Sequence, residues 1–293
     1  MTRQPDPAAW EHGDADVGGV RLHYVEAGDG ELTLLLHGFP DFWYSWRHQI
    51  PALAGAGCRV IAPDLRGYNT SEKPEGIRAY RIEELVADVV GLVRHAGAAR
   101  ATLVGHDWGG IVAWYTAMLH PEVVERLVIL NAPHPAVFNR ELFRSTQLLR
   151  SWYVGAFQIP HLPEALFRAG DYALLERVLR GESVRADAFT DEDIRRYKEA
   201  VAQPGALTAS INYYRAALRY GRPELAAERR TIEAPTLVIW GEQDPHLVVG
   251  LTEGLEEWVP RVRVARIRDA GHWVQADAPD RVNELLLDFV RNG

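Results

Sequence analysis

Residues 101–110 read ATLVGHDWGG, a short apolar run followed at once by a glycine-rich turn. The run that ends at Val104 predicts a buried strand, and the pattern that begins at Ile111 predicts a helix. Glycines two positions before and two positions after Asp107 permit the tight turn that exposes a central nucleophile. Asp107 could instead be a plain N-cap of the helix, a role that Asp often fills. The preceding strand and the flanking glycines favour the nucleophile.

Similar apolar runs recur along the chain and predict an α/β fold with a mostly parallel sheet flanked by helices. We expect each run to be a strand buried on both faces. The runs are Leu32–Leu36, Arg59–Ala62, Ala101–Val104, Leu127–Leu130, Thr236–Trp240 and Val262–Ile267, and the helical patterns between them are Ile82–His95, Ile111–Leu119, Leu247–Trp258 and Arg281–Val290. Before these, residues 15–26 alternate as in an antiparallel hairpin at the sheet edge.

The segment 135–228 interrupts this rhythm, because it holds helical patterns and no strand-like run. Roughly ninety residues without a strand inside a sheet protein indicate a helical insertion rather than one long loop. We therefore predict a core that is divided in sequence, formed by residues 1–134 and 229–293, and a helical cap formed by residues 135–228.

Composition limits the possible partners. The chain has 293 residues and a formal net charge of −8, which argues against a nucleic-acid partner. No apolar run reaches the length of about 18 residues that spans a membrane, and residues 1–10 lack the apolar core of a signal peptide. The single cysteine, Cys58, allows no internal disulfide. We expect a cytoplasmic protein, either a monomer or a homodimer.

The partners of a nucleophile at such an elbow follow it in the order acid, then histidine. His272 lies in Asp-Ala-Gly-His-Trp, on the loop after the last predicted strand. Asp244 directly follows the preceding strand in Gly-Glu-Gln-Asp-Pro, and Glu242 is its nearest rival. Asp before Pro often only shapes a turn. The ends of adjacent parallel strands lie close together, which favours Asp244 as the acid that orients His272.

The loop His37–Gly38–Phe39–Pro40 follows the strand Leu32–Leu36, where an oxyanion hole is expected. A carboxylate can displace a leaving group at carbon and form an ester, which activated water then cleaves. The backbone N–H groups of Phe39 and Trp108 would hold the oxyanion of that second step. We expect His37 to fix this loop and His106 to pack beneath the elbow.

Four motifs of the chain together resemble those of the soluble epoxide hydrolases, a family of the α/β-hydrolase fold with an Asp nucleophile and a helical cap. The resemblance extends from Val20 to Val290 and includes the cap. The motifs are His37–Arg47 (HGFPDFWYSWR), Asp64–Tyr68 (DLRGY), Gly105–Gly110 (GHDWGG) and Gly271–Trp273 (GHW).

The resemblance implies that an epoxide is hydrolysed to a vicinal diol through an ester on Asp107. In the family two cap tyrosines donate to the epoxide oxygen. One precedes a Phe-Gln-x-Pro segment by four residues, which indicates Tyr153. The other lies in an Asn-aromatic-Tyr-Arg segment, which indicates Tyr214, with Tyr213 as a weaker candidate. Without the resemblance, aromatic packing inside the cap would be the simpler interpretation.

Two other functions remain open from the sequence. Haloalkane or haloacid dehalogenases use the same Asp nucleophile, and a Trp at the position of Trp108 helps some of them to bind halide. A non-catalytic ligand receptor is a more remote alternative, because a fold does not determine a function. The expected substrates are a hydrophobic small molecule and water. We expect no cofactor and no metal, since His37, His106 and His272 have no clustered ligand spacing.

Overall fold

The computed structural model describes residues 10–221 and 230–292, and its centre is a sheet of eight strands. The strands are β1 (Glu11–Val17), β2 (Val20–Ala27), β3 (Glu31–Leu36), β4 (Cys58–Pro63), β5 (Ala101–His106), β6 (Val124–Leu130), β7 (Thr236–Gly241) and β8 (Val262–Ile267). They lie in the order β1-β2-β4-β3-β5-β6-β7-β8. Strands β3 to β8 pair in parallel, whereas β1 pairs with β2 and β2 pairs with β4 in antiparallel fashion.

The predicted fold class and the predicted edge hairpin are confirmed, and each of the six apolar runs is a strand. The expected burial on both faces is wrong for β8. Only its last residue, Ile267, is buried, and the others are partly or fully exposed. The reason is position, because β8 ends the sheet and pairs only with β7. The central strand β5 is buried along its whole length.

Helices cover the sheet and also form the segment between β6 and β7. The core helices are α1 (Gln49–Gly55), α2 (Ile82–His95), α3 (Trp108–Leu119), α10 (Val274–Asp277) and α11 (Pro279–Asn292). The helices between β6 and β7 are α4 (Pro135–Glu141), α5 (Gln147–Arg150), α6 (Trp152–Ala156), α7 (Leu162–Glu182), α8 (Asp191–Ala202) and α9 (Ala206–Tyr220). None of the helices in residues 10–221 and 230–292 is both long and apolar enough to cross a membrane.

The helix predicted over Leu247–Trp258 is wrong. The structure has two single 3-10 turns there, Val249–Thr252 and Leu255–Glu257. Between them Gly254 adopts a positive φ of 67°, which a continuous helix does not allow. The apolar spacing is therefore produced by two short turns that pack separately against the core.

The described residues between β6 and β7 hold helices and no strand, as expected for a cap. The cap boundaries remain a prediction, and residue 228 lies outside the described residues. Buried tyrosine hydroxyls join the cap helices to the core. Tyr197 on α8 donates to Asp41, at 3.0 Å, and Tyr213 on α9 donates to the carbonyl of Arg66, at 2.8 Å. In the opposite direction Tyr44 of the core donates to Asp193 of α8, at 2.8 Å.

Candidate active site

Asp107 occupies the turn between β5 and α3 with φ 48° and ψ −120°. A positive φ strains a residue with a side chain by about 1–3 kcal/mol. The surrounding backbone holds this conformation, because the Asp107 N–H donates to Leu130 O, at 3.3 Å, and its carbonyl accepts from Ile111 N, at 2.9 Å. The side chain makes no capping hydrogen bond to α3, so the alternative role as an N-cap is wrong.

Close backbone approach explains two of the glycines around the elbow. A Cβ on Gly109 would lie 2.0 Å from the carbonyl oxygen of Leu36, so α3 could not pack against the end of β3. A Cβ on Gly38 would lie 2.4 Å from the Cβ of Asp107. Both positions therefore require glycine, because any side chain would displace the nucleophile or its neighbouring loop.

The two predicted oxyanion-hole residues flank the Asp107 carboxylate. The backbone N–H of Phe39 donates to Oδ2 of Asp107, at 2.8 Å, and Phe39 is followed by Pro40 through a cis peptide bond. Trp108 is the first residue of α3, where backbone N–H groups have no partner within the helix. The backbone N–H of Phe39 is thus already directed at the carboxylate. The predicted second donor, the N–H of Trp108, belongs to the residue that follows Asp107.

The structure brings His272 and Asp244 together beside Asp107. Nδ1 of His272 donates to Oδ2 of Asp244, at 2.8 Å, and Glu242 does not take this position. Nε2 of His272 lies 3.9 Å from Oδ1 of Asp107, which is too long for a direct hydrogen bond. Side chains from the ends of three strands therefore converge in the predicted order.

Charge controls the protonation of this pair. Burial lowers the pKa of His272, but the charge and hydrogen bond of Asp244, with the charge of Asp107, outweigh burial and raise this pKa to about 9. Burial would raise the pKa of Asp244, whereas the charge and hydrogen bond of His272 hold it below its ordinary value. The free site therefore favours an imidazolium beside an ionised Asp244.

A set of donors that the sequence analysis missed holds the Asp244 carboxylate. Its Oδ2 accepts from Nδ2 of Asn131, at 2.8 Å, and its Oδ1 accepts from the backbone N–H groups of His246 and Leu247, at 2.7 and 3.0 Å. Asn131 stands directly after β6, and β6 pairs with β7, the strand that precedes Asp244. Its position at a strand end was the available signal for a supporting residue.

The two other predicted histidines lie beneath the loops of the site and are fully buried. His37 accepts from Leu65 N at Nε2, at 3.0 Å, and donates to Gly38 O from Nδ1, at 2.9 Å. Burial lowers the pKa of His37, in keeping with this neutral form. Nε2 of His106 donates to the carbonyl of His272, at 2.9 Å, and so holds the backbone of that histidine.

The two predicted cap tyrosines lie on α6 and α9, at the cavity that contains the nucleophile. The rings of Tyr153 and Tyr214 lie 5.9 Å apart, and both line the same cavity as Asp107. Burial raises the pKa of each hydroxyl, and the negative charge of Asp107 raises it further. Both hydroxyls therefore remain protonated and able to donate. The hydroxyl of the weaker candidate, Tyr213, instead donates to the carbonyl of Arg66 and anchors the cap.

The cavity between cap and core has a volume of about 360 Å³ and mainly aromatic and aliphatic walls. This is within the range of small-molecule sites, which are mostly apolar with a few convergent polar groups. Within the described parts of the chain, no group of three or more His, Cys, Asp or Glu side chains is arranged to hold a metal ion. Beside Asp107 and the tyrosines, the walls include Trp108, Ile111, Tyr115, Phe138, Val154 and Leu247.

Comparison with known sequences gives a consistent family. The sequence pattern of the α/β-hydrolase fold family matches residues 33–279. The chain is 46% identical over 278 residues to the AB hydrolase superfamily protein YfhM of Bacillus subtilis, covering 94% of this chain and 96% of that protein. It is 38% identical over 295 residues to Epoxide hydrolase 2 of Caenorhabditis elegans, covering 98% of this chain and 82% of that protein.

Solved structures give the same result. The chain aligns to the epoxide hydrolase of Bacillus megaterium, solved with an inhibitor, with a TM-score of 0.87 and 33% identity over 96% of this chain and 100% of that one. It aligns to Epoxide Hydrolase A of Mycobacterium thermoresistibile with a TM-score of 0.86 and 35% identity, over 97% of this chain and 99% of that one.

Proposed function

Because this chain belongs to the epoxide hydrolases of the α/β-hydrolase fold, we propose that it converts an epoxide to a vicinal diol through an ester on Asp107. The main support is the position of the Asp107 carboxylate. Tyr153 and Tyr214 line the same apolar cavity as this carboxylate, and Nε2 of His272 lies 3.9 Å from its Oδ1. Such an arrangement supplies hydroxyl donors for the opening of an epoxide and a base for the activation of water.

In the first step Oδ1 of Asp107 attacks one carbon of the epoxide while Phe39 N–H holds Oδ2. The carbon–oxygen bond of the ring breaks, and its electrons go to the ring oxygen. Tyr153 and Tyr214 donate to that oxygen and supply the proton that makes it a hydroxyl, a general-acid role. The product is a hydroxyalkyl ester of Asp107.

In the second step His272 accepts a proton from water at Nε2, and the water oxygen attacks Cγ of the ester. The resulting oxyanion is Oδ2, which the N–H groups of Phe39 and Trp108 stabilise. Loss of one such donor typically costs about 2.7–4 kcal/mol in the transition state. Collapse breaks the bond between Cγ and Oδ1, which leaves with the diol and takes the proton held by His272. The Asp107 carboxyl group then ionises, and its proton replaces the one that a tyrosine gave in the first step. Asp244 stabilises the imidazolium of His272 throughout.

The other two functions have less support. A dehalogenase has no evident use for two tyrosine hydroxyls beside the nucleophile. The Trp108 side chain, which would hold a halide, hydrogen-bonds Tyr214, and this bond partly opposes the rise in the pKa of that tyrosine. A receptor would not need an assembled set of Asp107, His272 and Asp244. Assays of diol formation from styrene oxide and of bromide release from a bromoalkane separate the two enzymatic functions.

A single turnover in H₂¹⁸O tests the proposed ester directly. With enzyme in excess over styrene oxide, we expect an unlabelled diol and one ¹⁸O atom in the peptide that contains Asp107. The reason is that water attacks the carbonyl carbon and the diol takes its second oxygen from the carboxylate. Mass spectrometry of the product and the peptide measures both. Label in the first diol would show direct attack of water on the epoxide and would refute the ester.

The pH dependence of the second step follows from His272, which must be neutral to accept a proton. Its pKa in the free protein is raised to about 9, and one cause is the charge of Asp107. Ester formation removes that charge, so the pKa in the ester falls below about 9. We expect the rate of ester hydrolysis to rise with pH and to level off at a midpoint below about 9. Single-turnover kinetics measures it, and a rate that falls as pH rises contradicts this role.

We also propose that the substrate is a hydrophobic small molecule, since apolar side chains dominate the cavity walls. The cytoplasmic location and the choice between monomer and homodimer stay predictions from the sequence. Cell fractionation and light scattering of the purified protein test these two predictions.

A further inference from the structure

We propose that His246 and Glu182 form a positioning pair that orients Tyr153 for the first step of the reaction. This inference rests on the proposed function, because it assigns a task to Tyr153. His246 lies in the loop after β7, two residues beyond Asp244, and Glu182 is the last residue of α7. The pair therefore joins the core to the cap at the edge of the active site.

The imidazole of His246 fills the space between the base and the hydroxyl donor. Its ring centroid lies 5.2 Å from that of Tyr153 and 5.4 Å from that of His272, with interplanar angles of 73° and 82°. Edge-to-face contacts of this kind are favourable and depend on ring orientation. The backbone N–H of His246 donates to Asp244, at 2.7 Å, so the start of the side chain is fixed. A change in the His246 ring is therefore transmitted to the ring of Tyr153.

Glu182 fixes the orientation of this imidazole. Nε2 of His246 lies 2.6 Å from Oε2 of Glu182, a short contact typical of a charge-assisted hydrogen bond. Each side chain is only 25% exposed, so solvent competes little for the contact. Burial is the largest cause of the raised pKa of the Tyr153 hydroxyl, followed by the charges of Asp107 and Asp244. The charge of Glu182 raises this pKa as well, by less than the other three. The carboxylate thus helps to keep the donor protonated and holds the ring that packs against it.

The backbone near Tyr153 is attached to the core independently of this pair. Gln147 on α5 donates to the carbonyl of His246, at 2.8 Å, and accepts from Val248 N, at 3.0 Å. Arg150, also on α5, donates to the carbonyl of Asp244, at 2.7 Å. These contacts hold the segment just before α6, so we expect variants of the pair to fold with α6 in place. We expect these variants to lose only the orientation of the Tyr153 hydroxyl.

Single-turnover kinetics separates the two steps and tests the proposal. We expect His246→Ala and Glu182→Gln to slow formation of the Asp107 ester by about 10- to 100-fold, the effect of a small misplacement of a reacting group. Hydrolysis of the ester should slow by a smaller factor. Glu182→Gln preserves side-chain size and covers the case in which His246→Ala does not fold. Ester formation at the wild-type rate, or a larger effect on hydrolysis, overturns the proposal.

A second measurement distinguishes positioning from general support of the fold. In a Tyr153→Phe background, His246→Ala should cause no further slowing of ester formation, since the hydroxyl it orients is absent. Slowing by the same factor as in the wild-type background would show that His246 does not act through Tyr153. The matched control is Glu176→Gln on the same helix, whose carboxylate pairs with Lys198 at 3.2 Å and should leave both steps unchanged. A wild-type protein that forms no ester would refute the proposed function itself, whatever the variants do.

Discussion

Replacement of Asp107 with asparagine will lower kcat/KM for diol formation by roughly 10⁴- to 10⁶-fold, the range for loss of one member of a catalytic triad. The amide has no negative charge with which to attack the epoxide carbon, so no ester forms. Its carbonyl oxygen can still accept from Phe39 N–H, and asparagine tolerates the positive φ of 48° better than most residues. The loss of activity should therefore come without loss of the elbow.

Steady-state diol formation measures the effect, and thermal unfolding of the variant checks the fold. Intact mass must show that the amide has not been hydrolysed back to Asp, since a small wild-type fraction would supply false activity. Asp107→Ala serves as a second variant that cannot revert in this way. If that variant formed diol at more than about a hundredth of the wild-type rate, its loss of activity would be far smaller than the loss expected for a triad member. That result would exclude an ester at Asp107.

Replacement of His272 with glutamine will stall the reaction after the first step. Glutamine is similar in size and can still donate to Asp244, but it cannot take a proton from water. General-base catalysis is worth about 10²- to 10⁴-fold, and we expect hydrolysis of the ester to slow by the upper part of that range. The first step needs no base, because the attacking group is a carboxylate. The ester should accumulate.

Mass spectrometry after incubation with styrene oxide should find the protein heavier by one substrate molecule, with the addition on the peptide that contains Asp107. The control is the double variant Asp107→Ala with His272→Gln, which has nothing to alkylate and should gain no mass. An inactive His272→Gln protein without any adduct would mean that His272 is needed in the first step. That result would contradict the proposal that Asp107 attacks the epoxide without a base and that His272 acts as a base only in the second step.

The strands themselves and the elbow could be predicted because their signals are local. A glycine-flanked residue between an apolar run and a helix marks Asp107 as a candidate nucleophile, and the position of Asp244 and His272 after two later strands marks them as its candidate partners. The two errors in the fold arise where a local pattern is ambiguous. Apolar spacing in residues 247–258 suggested one helix, although Gly254 interrupts it. The run in β8 suggested burial, although its place at the sheet edge is a property of the whole fold.

The parts of the site that depend on packing between cap and core were harder to predict. Tyr213 and Tyr214 are neighbours in sequence, and only the structure shows that the Tyr213 hydroxyl is bound to Arg66 while Tyr214 faces the cavity. Glu182 and His246 lie 64 residues apart and meet only when the cap packs against the core. No local pattern marks either of them. Asn131 had a weak signal, its position at the end of β6, but its partner could not be inferred.

The hydrogen bond from Phe39 N–H to Oδ2 makes the two carboxylate oxygens of Asp107 unequal before any substrate arrives. In the proposed mechanism Oδ1 forms the ester and departs with the diol, and the oxygen of water replaces it, while Oδ2 stays in place. In repeated turnovers each diol therefore carries the oxygen that entered the protein one turnover earlier. The proposed mechanism therefore predicts that only one oxygen of this carboxylate exchanges with water, and that the other is the oxygen incorporated when the polypeptide was synthesised.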